Sequence, residues 1–296
     1  MSDERIERPS AETERVADTR ERTDLGSLLD LPDGLVAIAS REYRLVVRSR
    51  WTAGVAVLFA VFSTALLAFG ASDVGAGRFD VVAASLAELG VYLVPLVGLV
   101  FGYDAIVGAA ESGTLELLFS LPVTQGRVVV GKYLGRATAL GSALVFGFVP
   151  GAILTLVLAG LPSLGTYAVV VLAAVGTGLV FLAVGVLVST VAREKTHALG
   201  GVLVAWLWFV LLHDLAALGA ISTFDLSGTA VAAMVLTNPA DCFRVLALSQ
   251  LDTVAGGFGS ILAEISLSVS LVAGGLIVWA VGAVGLATVL VRRRRL

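Results

Sequence analysis

A single cysteine, Cys242, stands in a chain of 296 residues. That excludes an intramolecular disulfide and any metal centre built from clustered cysteines. Two histidines and two methionines leave too few soft ligands for a metal relay carried by this chain alone. Nucleotide chemistry is missing as well. No G-x-x-x-x-G-K-S/T occurs, so the chain has no phosphate-binding loop and holds no ATP or Mg²⁺ by that route. The G-x-S-x-G elbow and H-E-x-x-H are absent too, which removes the starting residues of hydrolase and zinc-protease sites. No catalytic, cofactor or metal residue is assigned, and no nucleic-acid partner is expected. The N-terminus lacks the early apolar run and small-residue cleavage site of a signal peptide, so the first apolar block is expected to remain as an anchor. Charge is scarce, at 15% of residues, and concentrated in residues 1–50.

Apolar residues are abundant instead. The hydrophobic fraction is 57% and the mean hydropathy +0.95, against roughly 45–50% apolar usage in soluble domains. Such a chain cannot cover itself with polar surface in water. It reads as an all-α polytopic membrane protein, its continuous apolar blocks disfavouring a closed barrel. Six blocks approach the roughly 20 residues that cross a bilayer: 51–71, 84–101, 137–159, 167–191, 198–220 and 261–291. Residues 1–33, rich in Glu, Arg, Asp, Ser and Thr, read as a disordered tail before a single unit at 34–296. Residues 35–50 suit an amphipathic elbow helix on the membrane surface, with Arg41, Arg44 and Arg48 on one face and Val36, Ala39, Tyr43 and Val47 on another.

Orientation follows from the basic residues near the span ends. Thirteen (Arg41, Arg44, Arg48, Arg50, Arg127, Lys132, Arg136, Arg193, Lys195 and Arg292 to Arg295) fall on the side of the termini, against Arg78 and Arg244 opposite. Both termini and the 103–136 loop are therefore expected in the cytoplasm of a plasma-membrane protein. The external side has a turn at Gly160–Gly165 and a long connection at 221–260. Within it, 229–236 is apolar but too short to span, hence interfacial or re-entrant. Asn238 and Pro239 resemble an N-cap and first residue of a short helix that also carries Asp241, Phe243 and Arg244, a structured outer lid. His213 and Asp214, adjacent near the outer end of the fifth block, read as an interfacial pair. Beyond that pair, Glu88 and Glu264 are the ionisable residues inside the blocks, each near an outer end where interfacial water reaches. No charge chain for ion coupling is expected, so energy for transport must come from elsewhere. Small-residue pairs such as Gly147/Gly151 and Gly185/Ser189 allow close helix packing. No internal repeat is evident.

The longest patterned polar break is Tyr103 to Arg136. On a helix, Leu115, Leu118 and Phe119 share one face, while Ser112, Glu116 and Ser120 make a polar stripe. Pro122 ends that helix. At about two to three turns it is marginal alone and needs a surface to lie on.

This stretch resembles the first cytoplasmic loop of the ABC-2 type permeases. The matching residues are E-S-G-T-L-E-L-L-F-S-L-P-V, from Glu111 through Gly113 and Thr114 to Val123, and the re-entry G-K-Y-L-G at 131–135. A second stretch, N-P-A-D-C-F-R-V-L from Asn238, is similar to the outer N-P-x-D-x-F/Y-R-L segment of the Nos-type branch, whose members serve nitrous oxide reductase maturation. The resemblance implies six spans, an elbow helix, and a coupling helix that docks in a groove of a separate ATPase subunit. Two permeases would pair with two ATPases, in a membrane, with an accessory protein outside the cell in some systems. It implies docking through residues 111–123, with Leu115, Leu118 and Phe119 buried in the ATPase, Glu116 on the rim, and a smaller contact from Arg193, Glu194 and Lys195. Two rivals stand beside this reading. An ion-coupled transporter working alone would depend on Glu88 or Glu264. An intramembrane enzyme would need paired polar residues that the blocks do not supply.

Overall fold

The computed structural model describes residues 31–73, 79–120, 123–224, 226–249 and 267–293. Among them every regular element is helical. In chain order these are α1 (Leu31–Val47), α2 (Arg50–Asp73), α3 (Phe79–Gly102), α4 (Val107–Glu111), α5 (Thr114–Ser120), α6 (Gln125–Ala159) and α7 (Leu161–Val191). They are followed by α8 (Lys195–Leu207), a π-helical turn (Trp208–Leu212), α9 (His213–Thr223), α10 (Gly228–Leu236), α11 (Pro239–Leu248) and α12 (Val269–Val291). Six segments are long and apolar enough to cross a bilayer: α2, α3 with α4, α6, α7, α8 through α9, and α12. The protein is a multi-pass membrane protein. Residues 1–30, Pro122, Glu264 and the first part of the last predicted span (261–266) lie outside the described residues.

The bundle is built around α7 and α3, the two spans most enclosed by protein. They approach backbone to backbone because glycines face each other. A methyl group placed on Gly98 would lie 2.6 Å from the carbonyl oxygen of Gly178, and one on Gly102 would lie 2.6 Å from that of Leu182. In lipid, where apolar side chains gain little by leaving the solvent, such close contact is a main source of helix association. Phe181, Leu182 and Leu99 fill the core beside this seam.

Two boundaries differ from the sequence reading, for identifiable reasons. The turn predicted over Gly160–Gly165 is one residue, Gly160, at a φ of 81° that favours glycine. Leu161 already begins α7, with Pro162 in its first turn, where a missing N–H costs nothing. At the other end, α6 starts at Gln125, twelve residues before the predicted third span. Its 35 residues reach about 52 Å at 1.5 Å each, well beyond about 30 Å of hydrocarbon. Lys132 and Arg136 make this stretch look like loop, yet both charges are paired on the helix (below). The end carrying α1, α4, α5 and the start of α6 is called here the basic end, and the opposite one the lid end.

At the lid end α10 and α11 meet at 109°. Asn238 caps α11 by accepting the Ala240 N–H at 3.0 Å, and Pro239 follows at the first helical position. The Trp279 indole N–H bonds to the last carbonyl of α10, on Leu236, at 3.1 Å. α11 packs against α3, α7 and α12, with Phe243, Leu246 and Ala247 buried and the Phe243 ring against Gly90, near the middle of α3. The bent pair sets its second helix, α11, into the bundle.

Candidate functional site

At the basic end the chain turns at Gly113, whose φ of 69° suits glycine, between α4 and α5. The turn is anchored on α7. The Ser189 hydroxyl accepts from the backbone N–H groups of Ile106 and Val107 at 3.0 and 3.1 Å, satisfying donors that the start of α4 leaves free. Glu111 then reaches across to the second loop. Its carboxylate accepts the Lys195 backbone N–H at 2.7 Å and lies 3.7 Å from the Lys195 ammonium. Glu111, Ser112, Gly113 and Glu116 are exposed, as are Arg193, Glu194 and Lys195. Two loops treated separately in the sequence thus form one polar patch.

The apolar face of α5 does not await a partner. Leu115 is fully buried and Leu118 is 7% exposed, both inside the protein's own core, with Phe119 packed against it. This corrects the expectation that these three side chains fill a groove on another protein. A helix of seven residues gains its stability by burying that stripe on its own bundle. Thr114 is half-buried beside Ser112, its hydroxyl 2.9 Å from that of Ser112. Val123 lies close to the start of α1, 3.9 Å from where a methyl on Gly34 would be.

The elbow α1 lies along α6, and its packing face also differs from the predicted one. Val36 and Tyr43 are exposed, as is Val47, whereas Ile38, Ala39 and Glu42 turn inward. The seat is the motif G-K-Y-L-G. A methyl on Gly131 would meet Ile38 at 2.7 Å, and one on Gly135 would meet the Ala39 carbonyl at 2.5 Å. At the centre is buried Glu42, which accepts from the Lys132 ammonium at 3.0 Å and from Arg136 Nε at 2.8 Å. Arg136 also donates to Asp104 and, at 2.6 Å, to the Phe101 carbonyl near the end of α3. Burial pushes the Glu42 carboxyl upward in pKa, but Lys132 and Arg136 outweigh it and hold the group below its ordinary value. Arg41, Arg44 and Arg48 all remain exposed, together edging a shallow groove.

The lid end holds a second charge cluster. Arg244, 2% exposed, presents its guanidinium to three acids: Asp241 at 3.0 Å, Asp214 at 3.1 Å and Glu88 at 3.3 Å. They come from α11, α9 and α3. His213 lies 3.1 Å from Asp241 and 2.9 Å from the Asn238 amide, which also donates to the Phe209 carbonyl at 2.9 Å. That carbonyl belongs to the π-helical turn, a distortion that frees backbone acceptors and often marks functional positions. His213 and Asp214, expected as an interfacial pair, each bond to a lid residue: His213 to Asn238 and Asp214 to Arg244. Glu88 is not merely wetted, and Arg244 is no loop cation.

A family model described as "ABC-2 family transporter protein" matches residues 36–294. The chain belongs to the ABC-2 family. It is 37% identical over 271 residues, 87% of this chain and 97% of the relative, to the "probable ABC transporter permease protein NosY" of Pseudomonas aeruginosa. The protein of the same printed name from Stutzerimonas stutzeri is 33% identical over 251 residues, covering 82% and 90%. These relatives place the chain among the Nos-type ABC-2 permeases.

As an ABC-2 permease the chain has its two outstanding polar assemblies at opposite ends of the bundle. Residues 111–116 and 193–195 are brought together, the elbow arginines lie apart on α1 (Arg41, Arg44) and just after it (Arg48), and Asn238, Asp241 and Arg244 are interior groups. Sequence reasoning passed over Glu42 and Asp104, and read Ser189 only as a small packing residue. One signal was available: Lys132 and Arg136, four apart on one helix face, call for a shared acid.

Proposed function

We propose that this permease is the membrane subunit of an ATP-driven transporter, and that a separate ATPase grips the basic end. The observation carrying the reading is the exposed edge formed by Glu111, Ser112, Gly113 and Glu116 with Arg193, Glu194 and Lys195, rigidly rooted through Ser189. A polar rim over a buried apolar stripe fits a coupling element that is already folded when the ATPase docks. The basic end is cytoplasmic in this reading, in keeping with its excess of Lys and Arg. Two permeases pair with two ATPases. ATPase closure pushes the patch, Ser189 carries the push to α7, and the Arg136 cluster carries it to α1 and α3, rocking the bundle between inward- and outward-facing states. In this reading the transporter serves maturation of nitrous oxide reductase together with an accessory protein outside the cell, a role supported by its likeness to the Nos-type permeases.

The test is co-purification with a soluble ABC ATPase subunit from the same cells. Glu116→Arg with Ser112→Arg is expected to abolish association while the permease keeps its melting temperature. Full association of that variant overturns the proposed face. A charge at Leu118 would unfold the loop and cannot distinguish the two.

One observation favours a second reading, an ion-coupled transporter acting alone: the Glu88–Arg244–Asp214–Asp241 cluster supplies interior charge where none was expected. Transport by the purified chain under an ion gradient without ATP, lost in Glu88→Gln, would establish it.

A further inference from the structure

We infer that the lid end contains a binding site for one divalent transition-metal cation, held by His213, Asp214 and Asp241. One ligand atom from each of these side chains lies within 4.8 Å of the others. Asp241 is fully buried, and its two oxygens differ in their surroundings. Oδ1 pairs with Arg244, whereas Oδ2 has no hydrogen-bond donor among the described residues and faces His213 Nδ1 at 3.1 Å. Asp214 Oδ1 likewise has no donor.

The amide of Asn238 fixes the state of His213. Its Oδ1 accepts the Ala240 N–H, so its Nδ2 is the atom 2.9 Å from His213 Nδ1. An amide nitrogen only donates, so the ring nitrogen presents a lone pair. Two lone pairs then oppose each other across 3.1 Å, on Nδ1 and Asp241 Oδ2. A proton on Nδ1 would relieve Asp241 but would collide with the Asn238 donor. A metal ion shared by Nδ1 and Oδ2 would take both lone pairs, displacing the Asn238 amide from Nδ1 while that amide keeps its bond to the Phe209 carbonyl. The spacing fits such an ion. Tetrahedral bonds of about 2.0–2.1 Å put neighbouring ligands about 3.4 Å apart.

Charge points the same way. Among the described residues Glu88, Asp214 and Asp241 bring three negative charges against one on Arg244, an acidic excess that a divalent ion would offset. One imidazole and two carboxylates suit Zn²⁺, Co²⁺ or Mn²⁺ rather than a soft monovalent metal. The Cys242 thiol is not a ligand, for it is directed to the Val235 carbonyl at 3.5 Å. Access exists from the lid end, where the His213 and Asp214 side chains keep 13% and 18% of their surface exposed. A bound ion would tie α9 to α11 and fasten the lid to the bundle.

The experiment uses the full chain in nanodiscs, stripped with chelator, and titrated with Co²⁺ followed by its visible absorption. Zn²⁺ binding is measured by equilibrium dialysis. One equivalent per chain is expected, with Co²⁺ displaced by Zn²⁺. His213→Gln and Asp214→Asn are each expected to weaken binding about 100-fold or more, since even outer-shell losses cost 10–100-fold. Their melting temperatures without metal verify folding, and Cys242→Ser is expected to bind as the native chain does. Absence of stoichiometric binding in the native chain overturns the site. So does unchanged affinity in folded His213→Gln.

Discussion

Replacing Glu42 with Gln probes the elbow directly. The substitution keeps size and an acceptor oxygen but removes the charge shared by Lys132 and Arg136. Arg136 retains Asp104 and the Phe101 carbonyl, whereas the Lys132 ammonium, 5% exposed as a residue, is left without its acid. Removing one partner of a buried pair costs about 3–5 kcal/mol, and the neutral acceptor and surviving Arg136 contacts put this case near the lower figure. About 3 kcal/mol shifts the docking equilibrium of α1 by roughly 150-fold. Trypsin reports it. Arg41 and Arg44 lie on the helix, and cleavage there requires local opening, so the cleavage rate at these two sites tracks the open population. In neutral-lipid nanodiscs Glu42→Gln is expected to be cut about two orders of magnitude faster than the native chain. Adding Lys132→Met, which removes the orphaned charge, is expected to recover part of the loss. Acid adds a second test. The native pair lowers the Glu42 pKa, so its contribution is complete above the ordinary value of 4.5 and is lost as pH falls below it. A fluorophore at Leu45→Cys would report an acid-induced release in the native chain that Glu42→Gln lacks. Native-rate cleavage of Glu42→Gln at neutral pH would refute the reasoning.

Gly135→Val places a side chain where the Ala39 carbonyl sits, so α1 is expected to detach, seen as protease sensitivity at Arg41 and Arg44 with the other helices intact. Arg244→Met leaves three clustered carboxylates without a cation and is expected to lower stability by about 3–5 kcal/mol, read by thermal unfolding. A second change, Asp241→Asn, is expected to restore part of that loss.

Much of the architecture was legible because lipid imposes simple rules. A continuous apolar block of sufficient length becomes a helix whatever it packs against, so the six spans could be read from residue order. Local chemistry was legible too. Asn238 before Pro239 announces a helix start within two residues, and the structure shows that cap. The missed features all join residues far apart in the chain. Glu42 meets Lys132 ninety positions later, and Ser189 holds Ile106 from eighty-three positions away. A carboxylate among arginines reads as surface charge until another helix covers it.

The direction of Leu115 and Leu118 shows the same division. Their spacing requires one buried face and says nothing about what buries it. By itself the sequence determined the all-helical membrane class and the position of the polar loop, because those depend on composition and period alone. Only the tertiary structure decided that α5 leans on its own bundle, that Lys132 and Arg136 are neutralised on a projecting helix, and that Arg244 gathers Glu88, Asp214 and Asp241 beside the bent α10–α11 pair. Burying those charges is tolerable only when their partners arrive from other helices, and that arrival is set by folding, not by order along the chain.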